Sequence, residues 1–432
     1  MTATTPPHHD QSWPPPTADR AGFAADVLAG GTSGDDEQPV SGPRGVLGLV
    51  GVAGLFALLG LANIWWLVFA VGLLVSIVLH ELGHFVTARA TGMKATQFFI
   101  GFGPRLWSVR RGETEYGLRA LPLGAFVRII GMNNLDGVDD ADENRAYRSK
   151  SYPRRMLVIT AGSAMHMVLA LVLLSGIFAM KGESVALDAA EVAAVGDGMP
   201  ASGIVLPGDV ITAVGGVEVT AAEGLAPAVT AHAPGDRVVV ELERAGVPMS
   251  VVVVLGSNAL VDGDGRSAFL GVSSWPAIET IQRSWWSSPG FAAASIVGQV
   301  GASVTGVVQI LNPSNIVGHL SGSNTNPMTR PTTLVGITSV SDDVGRTSGL
   351  AGVLELLAYL NVFVGVFNLF PLLPLDGGHA AIATYERVRE GRSRRRYHVD
   401  VARLMPLTMA VVAMLAFLFL SGLYLDIMSP VG

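Results

Sequence analysis

The chain has 432 residues, half of them hydrophobic and only 15% charged, with a formal net charge of -7 and no cysteine. This composition points to an integral membrane protein and excludes a soluble enzyme. The negative balance argues against a nucleic-acid partner, and the lack of cysteine excludes disulfides and thiolate metal sites while leaving the redox compartment open.

Residues 1–43 are rich in Pro, Gly, Ala, Thr and Asp and have almost no large apolar side chains, the composition of a disordered tail. His8 and His9 are read as part of that solvated tail. The first apolar segment follows only after it, which does not fit a standard signal peptide with a short basic start. Within the transmembrane region 44–92, residues 46–79 are almost continuously apolar, too long for one span of about 20 residues. They divide at Asn63, beside Trp65 and Trp66, into one short helix over 46–62 and a second over 64–88. A single tilted or partly re-entrant segment is the alternative.

The second helix carries His80-Glu81-Leu82-Gly83-His84. Residues four apart share a helix face, so both imidazoles can reach one metal while Glu81 lies beside them, the pattern of a zinc metalloprotease. Ionisable groups inside a bilayer cost at least about 2–3 kcal/mol each unless they are paired, hydrated or metal-bound. Catalytic zinc usually takes three protein ligands, so a third is required.

Residues 93–156 hold eleven Lys or Arg side chains, which places them in the cytoplasm by the positive-inside rule. Residues 96–131 within them read as short strands broken by turns, a small membrane-associated β region. Such a sheet can hold an extended substrate by strand addition; a purely structural hairpin is the other reading. Residues 157–180 form the next span. Residues 181–258 change to β-branched runs and turns, and Leu206-Pro207-Gly208-Asp209 with the following strand resembles a PDZ domain on the extracytoplasmic side.

Residues 259–349 are expected to be an extracytoplasmic loop region, with an amphipathic surface helix over 291–311 and loop over 312–346. Residues 181–346 hold only seven basic side chains, in keeping with an outside location. The region 350–384 contains a further span and Asn368-Leu369-Phe370-Pro371-Leu372-Leu373-Pro374-Leu375-Asp376-Gly377-Gly378-His379. Asp376 is the expected third metal ligand, because a carboxylate at the end of a membrane segment needs a cation; His379 is the less favoured candidate. A basic cytoplasmic loop over 385–403 and a last span over 404–425 complete the chain. The expected fold is a polytopic α-helical membrane protein of about 4–5 transmembrane helices, with a small membrane-associated β-hairpin region and an inserted extracytoplasmic PDZ domain.

These motifs together resemble the bacterial site-2 proteases, intramembrane zinc metalloproteases, from about residue 64 to the C-terminus. The resemblance rests on His80-Glu81-x-x-His84, Gly101-Phe102-Gly103-Pro104, Gly112-Glu113-Thr114-Glu115-Tyr116, the PDZ insert and the stretch from Asn368 to Gly378. It implies that His80, His84 and Asp376 bind Zn2+, that Glu81 is the general base, and that Asn368 positions substrate or stabilises the oxyanion. Gly101, Phe102, Gly103 and Gly124 of the β region are the expected substrate-binding residues. The implied substrates are transmembrane proteins of the bilayer such as anti-sigma factors, cut after a first extracytoplasmic cleavage. The implied setting is the plasma membrane, with the active site toward the cytoplasm and the PDZ domain outside. Two features depart from the family: Ala161-Gly162-Ser163-Ala164-Met165-His166 replaces an Ala-Gly-Pro segment followed by Asn, and the helix over 46–62 is additional. A catalytically silent PDZ scaffold and a metal transporter are the rival readings. An intact Glu81 argues against the first, and the lack of an ionisable chain across several helices against the second.

Overall fold

The computed structural model of the chain describes residues 43–132, 138–257, 267–324, 329–393, 397, 399 and 401–429. Residues 1–42 of the expected tail, and part of the basic loop over 385–403, lie outside the described residues. The chain divides into two compact units, Met1–Ser175 with Pro289–Gly432, and Gly176–Ser288.

The first unit begins with α1 (Pro43–Ala62) and α2 (Ile64–Ala90). The break between them is a cap: the Asn63 side chain accepts hydrogen bonds from the Trp65 and Trp66 amides and donates one to Asp342 Oδ1 at 2.7 Å. Two amides that the helix start would leave unpaired are thereby satisfied inside an apolar run.

Strands β1 (Ala95–Arg111) and β2 (Thr114–Ile129) follow as one antiparallel ribbon that folds back on itself, where separate short strands were expected. Gln97 pairs with both Arg128 and Glu115, and Phe98 with both Val127 and Tyr116, so residues 97–100 form the middle of the sheet. The bend is made at Gly101 and Gly103, whose φ values of 90° and 78° favour glycine; a Cβ on Gly101 would also lie 2.7 Å from Leu121 O.

Helix α3 (Tyr152–Lys181) leads out of this unit. The second unit holds β3 (Glu183–Val195), β4 (Val210–Val214), β5 (Val217–Glu218), the short α4 (Leu225–Thr230), β6 (Arg237–Arg244), β7 (Val247–Val254), β8 (Gly256–Ser257), β9 (Ala268–Phe269) and β10 (Val272–Ile281). Its main sheet runs β10-β3-β4-β6-β7 with β5 on β4, while β8 and β9 pair separately, so the described strands form an open path. Alternating side chains of β4 and β6 close a core around Val192, Ile211, Val214, Val240 and Val253. The Leu206-Pro207-Gly208-Asp209 turn is locked by Asp209, which accepts from the Leu206 amide at 2.8 Å and takes two hydrogen bonds from Arg244 at 2.8 and 2.7 Å.

Back in the first unit come α5 (Ser288–Ile310), α6 (Pro313–Ser321), α7 (Leu334–Asn368), α8 (Asp376–Ser393) and α9 (Met405–Met428). Among the described residues six helices are long and apolar enough to cross a membrane: α1, α2, α3, α5, α7 and α9. That count exceeds the expected 4–5 by α5, the segment read from sequence as an amphipathic surface helix, which is counted here on length and mean hydropathy alone; its Gln299 is bonded to Ser295 within the helix at 3.1 Å. The expected loop over 312–346 is largely helical. α7 starts at Leu334 and continues through a kink at Gly349, where φ is 66°. Its polar first half is held by tertiary contacts: Asp426 of α9 accepts from the Thr333 amide at 2.8 Å and the Gly336 amide at 3.1 Å, and Asn63 meets Asp342.

Candidate metal centre

At the helical period His80 and His84 fall on one face of α2, both buried. Gly83 between them lets α3 approach, since a Cβ there would lie 2.7 Å from Ala161 O. Small residues at such a crossing are the usual means of bringing membrane helices together. Gly162 on the facing side is under a stricter demand. A Cβ at that position would lie 2.4 Å from His84 Nε2 and 2.5 Å from His80 Cε1.

Asp376 is the first residue of α8. A Cβ on Gly377 would sit 2.2 Å from Phe370 O, and one on Gly378 2.7 Å from Leu373 N. The two glycines therefore allow the start of α8 to lie directly on the 369–373 turn, which fixes Asp376 relative to the end of α7.

Three ligand atoms converge. His80 Nε2 and His84 Nε2 are 3.1 Å apart, and Asp376 Oδ2 lies 3.4 and 3.3 Å from them. His84 Nδ1 is 2.8 Å from Val158 O. Only an N–H can meet a carbonyl, so Nδ1 carries the hydrogen and Nε2 turns its lone pair inward. Asp376 Oδ2 is buried with no hydrogen-bond partner. Lone pairs facing one another at this range repel unless a cation lies between them. A tetrahedral zinc with bonds of about 2.0–2.1 Å needs ligand atoms about 3.3–3.4 Å apart, close to what these three side chains present. The two imidazoles and one carboxylate are the donor set of a catalytic zinc site, and His80, His84 and Asp376 form the one such cluster among the described residues. His379 is not part of it.

Glu81 Oε2 accepts the Val127 N–H of β2 at 3.1 Å, so the edge of the sheet holds the carboxylate beside the ligands. Phe85, Ala88, Met93, Ile129, Val158, Ile159 and Ala383 form the apolar cluster that joins α2, the sheet, α3 and α8. Asn368 ends α7 half-buried and makes no side-chain hydrogen bond among the described residues. Gly101 and Gly103 make the ribbon bend, and Gly124 leaves room for the Phe102 ring, which a Cβ there would meet at 2.4 Å.

Sequence reasoning missed the backbone partners Val158 O and Val127 N, which have no side-chain signature. It singled out His166 but missed that residue's partners, which form a buried hydrogen-bonded chain behind His80. His166 Nδ1 is 2.7 Å from Asn361 Oδ1, and Asn361 Nδ2 donates to Ser76 Oγ at 3.0 Å and Leu357 O at 2.7 Å. The His166 ring packs 5.0 Å from that of His80 and supplies no ligand to the cluster. The amide of Asn361, in the middle of the apolar 350–370 stretch, was the available signal.

Peptidase family M50 matches residues 68–415 of the chain. The zinc metalloprotease Rip1 of Mycobacterium tuberculosis is 30% identical over 406 residues, covering 84% of this chain and 97% of its own. Rip1 of Mycolicibacterium smegmatis is 33% identical over 399 residues, again covering 84% and 97%. The zinc metalloprotease RasP of Shouchella clausii is 27% identical over 393 residues, covering 73% of this chain and 88% of its own.

Proposed function

The chain belongs to peptidase family M50, and from that premise we propose that it is an intramembrane zinc endopeptidase in which Glu81 is the general base. The observation that carries the reading is the convergence of three ligand atoms, His80 Nε2, His84 Nε2 and Asp376 Oδ2, 3.1–3.4 Å apart at the end of apolar helices. His80, His84 and Asp376 hold the zinc. When bound, zinc supplies Lewis acidity toward a water and a carbonyl.

The remaining work falls to the chain itself. Glu81 takes the proton of the attacking water and returns it to the leaving amine. The Val127 N–H holds one oxygen of that carboxylate, leaving the other for the proton. Asn368, eight residues before Asp376, is our candidate for contact with the scissile peptide. An extended substrate pairs with the β region near Gly101, Phe102, Gly103 and Gly124, since a peptide bond inside a helix is shielded from attack. The Val127–Glu81 bond supports this, because it ties the sheet to the catalytic carboxylate.

We read the substrates as single-span membrane proteins, anti-sigma factors among them, trimmed by an earlier cut. The metal centre faces the cytoplasm in this reading, supported by the eleven basic residues of 93–156. The second unit is read as a PDZ domain that excludes substrates still carrying a bulky outer portion. Capture of a new C-terminus is the competing role: domain deletion makes an intact substrate cleavable under gating and loses the trimmed one under capture.

The central experiment is Glu81→Gln. It is expected to keep zinc and bind a membrane substrate while cleavage stops. Cleavage near the wild-type rate would remove Glu81 as the base.

A further inference from the structure

A second polar site lies at the start of α3. A cavity of about 420 Å³ is walled by Arg148, Lys150, Arg155 and Arg387, with Tyr152 and Glu390 at its sides. Two of the four cations are matched: Arg148 binds Glu143 at 2.9 and 2.6 Å, and Arg155 binds Glu386 at 2.5 Å. Lys150 meets only a carbonyl, Asn144 O at 2.9 Å, and Arg387 has no carboxylate partner among the described residues. Arg155, more than nine-tenths buried, still has an unpartnered Nε. Burial first, and then the nearby Arg154 and Arg145, hold the Lys150 ammonium below its ordinary pKa. The positive end of the 30-residue α3 adds to that field.

We propose that this cavity binds the phosphate of an anionic glycerophospholipid. The chemistry alone fits any phosphate; position selects the lipid. α3 is a membrane-spanning candidate that begins at Tyr152, so the cavity lies at headgroup level, where anionic lipid is the abundant phosphate and basic pockets at helix ends recruit it. The bound headgroup would tie α3, which carries Gly162 and Val158 of the metal centre, to α8, which begins with Asp376.

The test uses the zinc-loaded full chain in nanodiscs of phosphatidylcholine with or without phosphatidylglycerol, followed by native mass spectrometry. Phosphatidylglycerol is expected to be retained over phosphatidylcholine. The double variant Lys150→Gln/Arg387→Gln should lower that retention by about thirtyfold. Zinc content reports folding, because neither side chain touches the metal ligands. Equal retention of the two lipids, or unchanged retention in the variant with full zinc, overturns the proposal. So does inorganic phosphate or an acidic peptide that displaces phosphatidylglycerol while showing the same dependence on Lys150 and Arg387.

Discussion

Gly162 limits what the metal centre tolerates more tightly than the ligands do. Its Cα faces both imidazoles, and a methyl there would overlap His84 Nε2 at 2.4 Å. Gly162→Ala is therefore expected to lose at least about tenfold in zinc affinity although no ligand has changed, the scale seen for residues that orient ligands. Zinc per chain at graded chelator concentration measures it; wild-type affinity would mean that α3 can retreat without cost. His80→Ala and Asp376→Ala should bind no zinc and cut no substrate, and chelator-treated wild type should regain activity with added zinc. At this scale the sequence was most readable where polar atoms stand in apolar surroundings. His80, His84 and Asp376 announce themselves by their cost in a membrane segment. Val158 O and Val127 N do not, because every residue offers the same backbone groups. A second residue-scale expectation concerns acid. The two hydrogen bonds from Arg244 hold the Asp209 carboxyl below its ordinary value of 3.8. Its stabilisation is complete above that value and is lost as pH falls through the lower, folded one. Arg244→Gln should raise the pH at which the second unit loses protection, read by hydrogen exchange of the β4 and β6 amides.

Among the elements, α7 separates what local sequence can specify from what it cannot. Its second half is apolar and legible as a span. Its first half, Leu334 to Ser348, holds Thr338, Ser339, Ser341, Asp342, Asp343 and Arg346 and resembles a loop by composition. It is helical because distant groups satisfy its start: Asp426 accepts from the Thr333 and Gly336 amides and from Thr333 Oγ1 at 2.7 Å. Asp426→Ala removes that cap from a buried site and should destabilise the helix start by about 1–2 kcal/mol, seen as faster exchange of amides 334–340 with the metal centre intact. The β ribbon teaches the same lesson. Its turns are local and were legible, but the pairing of residues 97–100 on both sides depends on contacts with residues nearly thirty positions away. The turn at Asn63 was legible because a single amide in a long apolar run has few other uses.

Across the whole first unit, contacts sort the helix ends into two groups. His80 and His84, near the end of α2, meet Asp376 just past α7, and Val158 near the start of α3 joins them. At the opposite end, Asn63 between α1 and α2 meets Asp342 in the first half of α7, and Asp426 near the end of α9 meets Thr333. Helix α7 therefore begins on the face where α3 leaves and finishes on the face where α3 began. Only an even number of crossings can separate the end of α3 from the start of α7. Among the described residues α5 is the sole helix in that interval long enough to cross, since α6 has 9 residues. If α3 and α7 each cross once, parity among the described helices predicts that α5 makes no single complete passage, whatever its length and composition allow, and enters and leaves by one face or lies along it. A chain without native cysteine is suited to asking this directly. Single cysteines at Gly290 and Gln309 should react with a membrane-impermeant thiol reagent from the same side, and labelling from opposite sides would break the count.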